Sequence, residues 1–127
     1  MHAIGLKSYQ DVGAYGRLSD AEPHEVVALM LDTLLTRVAE ARGCVERGDT
    51  QGKGTAIGKA LGLIEGLVLS LDLERGGGVA ENLQRLYDYM SRLLLKANLE
   101  SRVDLLIEVG DLAGEIRTAW EGIGRAR

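Results

Sequence analysis

The sequence predicts an all-α protein, an antiparallel up-and-down four-helix bundle with an irregular N-terminal arm. Apolar residues recur at helical spacing in four segments, at about 23–47, 51–73, 79–97 and 102–123. The segments are joined by short connections, so successive helices must fold back beside one another. No stretch shows the alternation of a half-buried strand. With 127 residues the chain forms a single domain, 1–127, long enough to bury a core without staples.

The arm covers residues 1–22, where Gly5, Gly13 and Gly16 interrupt Ile4, Leu6, Tyr9, Val12 and Tyr15. The only proline, Pro23, suits the first turn of a helix, where its missing N–H costs nothing. Val27, Met30, Leu31, Leu34, Val38, Ala41 and Val45 then keep a helical period up to Gly48. The second helix runs to Leu73, and Gly76-Gly77-Gly78 turns the chain into the third. Asn98 is expected to close the third helix in a left-handed conformation. Ser101 and Asp104 resemble a capping box for the fourth, which carries Leu105, Leu106, Val109, Leu112, Ile116, Trp120 and Ile123. Phenylalanine is absent, so the core must be built mainly from Leu, Val, Ile and Ala.

Composition narrows the function. Lys and Arg number 15 against 19 Asp and Glu, for a net charge of −4, which offers no basic field to a nucleic acid. No window approaches the ~20 apolar residues of a membrane span. One cysteine, Cys44, cannot close an intrachain disulfide and reads as a small buried filler; with no signal peptide, this points to a cytoplasmic protein. Gly76–Gly78 lacks the Gly-Lys-Ser/Thr of a phosphate loop, and no strand precedes it. His2 and His24 stand in no Glu-x-x-His motif, so neither a metal nor another cofactor is expected. No nucleophile and base share a pattern, and an enzyme is not expected.

The second and third helices are more apolar than a core requires. On the second, Leu61, Ile64, Val68 and Leu71 form a stripe that Ala56, Ala60, Leu63 and Leu67 widen to about 160°, against the ~100° of an ordinary core face. On the third, Tyr89 and Leu93 widen the stripe of Leu83, Leu86, Tyr87, Met90, Leu94 and Ala97. A central helix touching two neighbours explains a broad face. A groove receiving an amphipathic segment explains it equally. Gly54, Gly58, Gly62 and Gly66 recur every four residues, each costing about 0.8–1.0 kcal/mol relative to Ala in an exposed helix. Either a partner's close approach or glycine-rich composition accounts for the row.

Several segments resemble a known family. Gln51-Gly52-Lys53-Gly54, Lys59-Ala60, Ser70-Leu71-Asp72, Asn82-Leu83, Leu86-Tyr87-Asp88-Tyr89-Met90, Ala97-Asn98, Glu108-Val109 and Ala119-Trp120 follow the order and spacing of the flagellar secretion chaperone FliS family. The resemblance covers Tyr9 to Trp120. It implies a cytosolic export chaperone that binds the disordered C-terminal segment of flagellin and prevents its premature polymerisation. It also implies delivery of that client to the flagellar type III export gate, by a monomer forming a one-to-one complex. The chain departs from the family pattern at Leu31-Asp32-Thr33 and at Glu22, where Ser or Thr is usual.

With that client in view, Ala56, Ala60, Leu63, Leu67, Leu86, Tyr89 and Leu93 are the expected contacts, flanking the stripes. Leu61, Ile64, Val68, Leu83, Tyr87 and Met90 are the expected core. Ile4, Leu6, Tyr9 and Val12 of the arm are the expected lid. The competing reading is a structural, self-associating helical bundle with no flagellin client.

Overall fold

The computed structural model describes residues 23–126, with side chains through residue 123; the arm, including Ile4, Leu6, Tyr9 and Val12, lies outside the described residues. Four helices and no strand make up the described chain: α1 (Pro23–Arg47), α2 (Thr50–Leu69), α3 (Leu73–Glu100) and α4 (Val103–Ala126). Short turns at 48–49, 70–72 and 101–102 make sequential helices antiparallel. Both α1 and α3 pack against α2 and α4, so the helices follow chain order around the bundle, with α1 and α3 at opposite corners. The fold class is the all-α bundle that the periodicity implied.

α1 is the most closely packed helix and α3 the least. The stripe Leu31, Leu34, Val38 and Ala41 puts four buried side chains on one face of α1. Each fully buried Leu or Val contributes about 1.5–3 kcal/mol. A Cβ on Gly66 would stand 2.7 Å from Cε of Met30, and one on Gly52 would stand 2.8 Å from Sγ of Cys44, so glycine lets α2 approach α1. At Gly54, Gly58 and Gly62 a Cβ would meet nothing within 4 Å. Of the four-residue row, only Gly66 has a neighbour that an added Cβ would displace, the terminal methyl of Met30.

The turns differ from their sequence expectations. α2 stops at Leu69, where the Ser70 N–H donates to the carbonyls of Gly66 and Leu67. Asp72 then accepts from the Arg75 N–H and opens α3 at Leu73, well before the triple glycine. Gly77 interrupts that helix after its first turn with φ 53° and ψ −130°, a combination open essentially to glycine alone. The left-handed residue closing α3 is Ser101 (φ 53°, ψ 46°), not Asn98.

The reason is Lys53, only 7% exposed, whose Nζ donates to the Asn98 carbonyl (2.8 Å) and to Ser101 Oγ (2.9 Å). This ammonium satisfies acceptors at the negative end of α3 and fixes the turn. The expected capping box is absent: Ser101 serves the preceding helix, and Asp104 pairs with Arg102 at 2.8 Å.

At the other end of the bundle His24 stacks on Trp120, ring centroids 4.7 Å apart. That contact ties the start of α1 to the last turns of α4.

Candidate functional site

The seven residues expected to flank the apolar stripes divide sharply. Ala56 (5% exposed), Ala60 (0%) and Leu67 (0%) are core, so the expectation that they present a surface is corrected. They point inward because α2 turns its centre toward the bundle axis through Ala60, Ile64 and Leu67, about 50° at 100° per residue from the stripe read off the sequence. Leu61 and Val68, expected in the core, are only partly buried, as is Leu83. Ile64, Tyr87 and Met90 are core.

The remaining four do not share one groove. Leu63 follows the edge of α2 that carries Gly52 and Gly66, which faces Cys44 and Met30 of α1. Leu86, Tyr89 and Leu93 lie along the edge of α3 that faces α4, where the Tyr89 hydroxyl donates to the Glu108 carboxylate. These are opposite sides of the bundle.

The seam between the second and third helices is formed by other residues. Leu61 and Val68 stand on the α3-facing edge of α2. Leu95 is 57% exposed on the α2-facing side of α3, one turn before Asn98, whose carbonyl meets Lys53 of α2. Apolar surface therefore borders α3 on both sides: Leu61, Val68 and Leu95 on one, Leu86, Tyr89 and Leu93 on the other. It continues over the α2–α3 turn through Leu69 (79% exposed), Leu73 and Val79. The run Leu93-Leu94-Leu95 carried a signal for this, since three consecutive leucines cannot all face one core.

Tyr87, Tyr89 and Asp104, on or next to α3, are shifted from their ordinary pKa values. The bond to Glu108 raises the Tyr89 pKa, with desolvation adding to it. Burial pushes Tyr87 up to about 12. The Arg102 guanidinium holds the Asp104 carboxyl below its usual range. Among the described residues no group of three His, Cys, Asp or Glu could hold a metal ion. None of the described helices is long and apolar enough to cross a membrane.

A closed all-α bundle with partly exposed apolar side chains along its least packed helix has the architecture of a protein that holds another chain. The family model "Flagellar protein FliS" matches residues 5–127. The Pseudomonas aeruginosa flagellar secretion chaperone FliSB is 46% identical over 124 residues, covering 97% of this chain and 98% of its own. The Salmonella typhimurium flagellar secretion chaperone FliS is 39% identical over 122 residues, covering 95% and 90%. Its Vibrio cholerae counterpart is 33% identical over 118 residues, covering 93% and 87%. The chain belongs to the FliS family of flagellar secretion chaperones. A secretion chaperone is not an enzyme class.

Proposed function

We propose that this chain binds the C-terminal segment of flagellin in the cytoplasm, keeps it from polymerising early, and aids its delivery to the flagellar type III export apparatus. The observation that carries the reading is the pair of apolar seams along α3, the helix least packed by its neighbours. A client that is disordered when free gains helical structure as it covers such seams. The ordering cost lowers net affinity while permitting a wide interface. One client per chain lies across α3, with Leu86, Tyr89 and Leu93 on one side and Leu61, Val68 and Leu95 on the other.

The arm acts as a lid on part of this surface. α1 begins at Pro23, at the end of the bundle that also carries the exposed Leu69, Leu73, Val79 and Ile123. Ile4, Leu6, Tyr9 and Val12 supply apolar side chains that compete there with the client.

Isothermal calorimetry with a synthetic C-terminal flagellin peptide tests the proposal. Saturable one-to-one binding with a negative heat-capacity change is expected. Absence of binding by a folded chain overturns it.

A further inference from the structure

The Tyr89 hydroxyl of α3 donates across the α3–α4 seam to the Glu108 carboxylate of α4. On each helix, the residues four before and three and seven after that bond share its face. On α3 these are Arg85, Arg92 and Lys96; on α4 they are Asp104, Asp111 and Glu115, and all six are exposed. The two crests bordering the seam therefore carry opposite charge, basic along α3 and acidic along α4, over about 16 Å. No ion pair joins the two rows among the described residues. Arg92 pairs with Asp88 on its own helix, and Asp104 pairs with Arg102 in the turn. Arg85 meets the Asn82 amide, while the side chains of Lys96, Asp111 and Glu115 have no partner among the described residues. Like charges three and four residues apart repel, so each row destabilises its own helix without relief from the other.

Between the crests the floor is apolar. Leu86 and Leu93 flank Tyr89, and Leu112 lies one turn from Glu108, all partly buried against the core. The Glu108 carboxylate is already hydrogen-bonded, so an apolar surface can cover it without stranding an unpartnered anion. A groove between two helices receives a third helix laid along it, apolar stripe downward. The flanks of that helix then meet the two crests. A uniformly acidic helix is repelled by α4 and a uniformly basic one by α3, so the match is a helix with one flank of each sign. We propose that the α3–α4 seam holds one helix of the client in a single direction set by charge. Its carboxylate-bearing flank lies against Arg85 and Lys96, and its cationic flank against Asp111 and Glu115. Turned end for end, the helix exchanges its flanks and brings like charges together on both crests. The seam thus selects a client by the placement of its charges as well as by its apolar pattern. This rests on the client reading above and adds to it the charge pattern and direction of the bound segment.

Binding of the synthetic C-terminal flagellin peptide to the full chain, measured at low and high salt, tests this. Affinity is expected to fall severalfold as salt screens the crests. Arg85→Glu/Lys96→Glu and Asp111→Lys/Glu115→Lys should each weaken low-salt binding by about fivefold or more, with little effect at high salt. A nitroxide on one end of the peptide reads direction, by broadening amide resonances of the chain near it. Broadening is expected at one end of the seam only, and at both ends when Arg85, Lys96, Asp111 and Glu115 are replaced by Gln or Asn. All four positions are exposed, and matched far-ultraviolet circular dichroism checks the fold. A folded chain that binds no peptide overturns the client reading and this proposal with it. Peptide binding that the row reversals leave unchanged, or a direction that survives neutralisation of both rows, overturns the proposal alone. Reversals that alter only self-association of the chain assign the seam to a second copy and also overturn it.

Discussion

His24 and Trp120 each engage the other's backbone carbonyl through a ring nitrogen, at 2.8 and 2.9 Å, while their rings stack 11° from parallel. A carbonyl can only accept, so His24 Nε2 carries a proton and donates, as Trp120 Nε1 does. The pair closes the bundle between its first and last helices, where chain ends otherwise fray. His24→Ala removes the stack and one bond and is expected to lower stability by about 1–2 kcal/mol in urea denaturation. Trp120 is the only tryptophan, so its emission reports loss of the stack directly. A change under about 0.3 kcal/mol would show that the clasp contributes nothing beyond its geometry.

The glycine row permits a comparison within one helix. Gly58 and Gly62 are exposed, and an added Cβ meets nothing. Gly58→Ala and Gly62→Ala should each raise stability by about 0.8–1.0 kcal/mol, through helix propensity and a less flexible unfolded chain. Gly66→Ala pushes into Met30 and should gain less than either or lose stability. Gly77→Ala, at φ 53°, should cost about 1–3 kcal/mol. Thermal denaturation of the four variants gives the order. If Gly66→Ala stabilised as much as Gly58→Ala, the close approach of α2 to α1 would not depend on that glycine.

Four helices, their order and the family were legible because each helix repeats its signal over many turns. The α1 stripe from Leu31 to Ala41 and the α4 stripe from Leu105 to Ile116 reached the core as their spacing implied. Details resting on one residue were not legible. Ser101 reads locally as a cap for the helix after it, yet Lys53, 48 positions earlier, recruits it to the helix before. The rotation of α2 was equally hidden. Periodicity gives the width of an apolar face, whereas its centre depends on where α1 and α3 lie. A rotation of about 50° was enough to exchange Ala60 and Leu67 with Leu61 and Val68 as candidates for the surface.

Tyr87 makes alkaline stability a test of the core. Its pKa rises from 10 to about 12 because the ring is buried, so the folded chain retains the proton where the unfolded chain has lost it. The stabilising contribution is complete below pH 10, declines as the unfolded tyrosine ionises, and is gone once pH passes about 12. Between those limits it amounts to as much as about 2 kcal/mol. Tyr89, also raised, acts in the same direction. Tyr87→Phe should flatten the fall in urea stability above pH 10. It should cost little at neutral pH, since no described residue is bonded to the Tyr87 hydroxyl. An unchanged alkaline slope in the variant assigns the loss to other groups.

Core and surface positions on adjacent helices should separate stability from client binding. Leu95→Glu alters a side chain of α3 that is 57% exposed. It should weaken flagellin-peptide binding by about tenfold while changing stability by less than about 0.5 kcal/mol. Ala60→Leu overpacks a site with no exposure and should cost about 1–3 kcal/mol. Peptide affinity of the fraction that remains folded should stay close to that of the unaltered chain. Calorimetry paired with urea denaturation reads both quantities. A client contact through Ala60 would reverse the pattern, with affinity falling before stability.

The arm gives the proposed client site a kinetic signature. If Ile4, Leu6, Tyr9 and Val12 cover apolar surface that the client needs, only the uncovered fraction of molecules is competent. Apparent affinity is then reduced by that fraction. Deleting residues 1–16 keeps Pro23 and the His24–Trp120 clasp, so the bundle should retain its melting temperature. Peptide binding should strengthen severalfold and the association rate should rise with it, because the step removed is uncovering of the site. Stopped-flow measurements resolve that rate separately from dissociation. Weaker binding at an unchanged melting temperature would instead make the arm part of the client interface. The same apolar residues would then hold flagellin instead of excluding it.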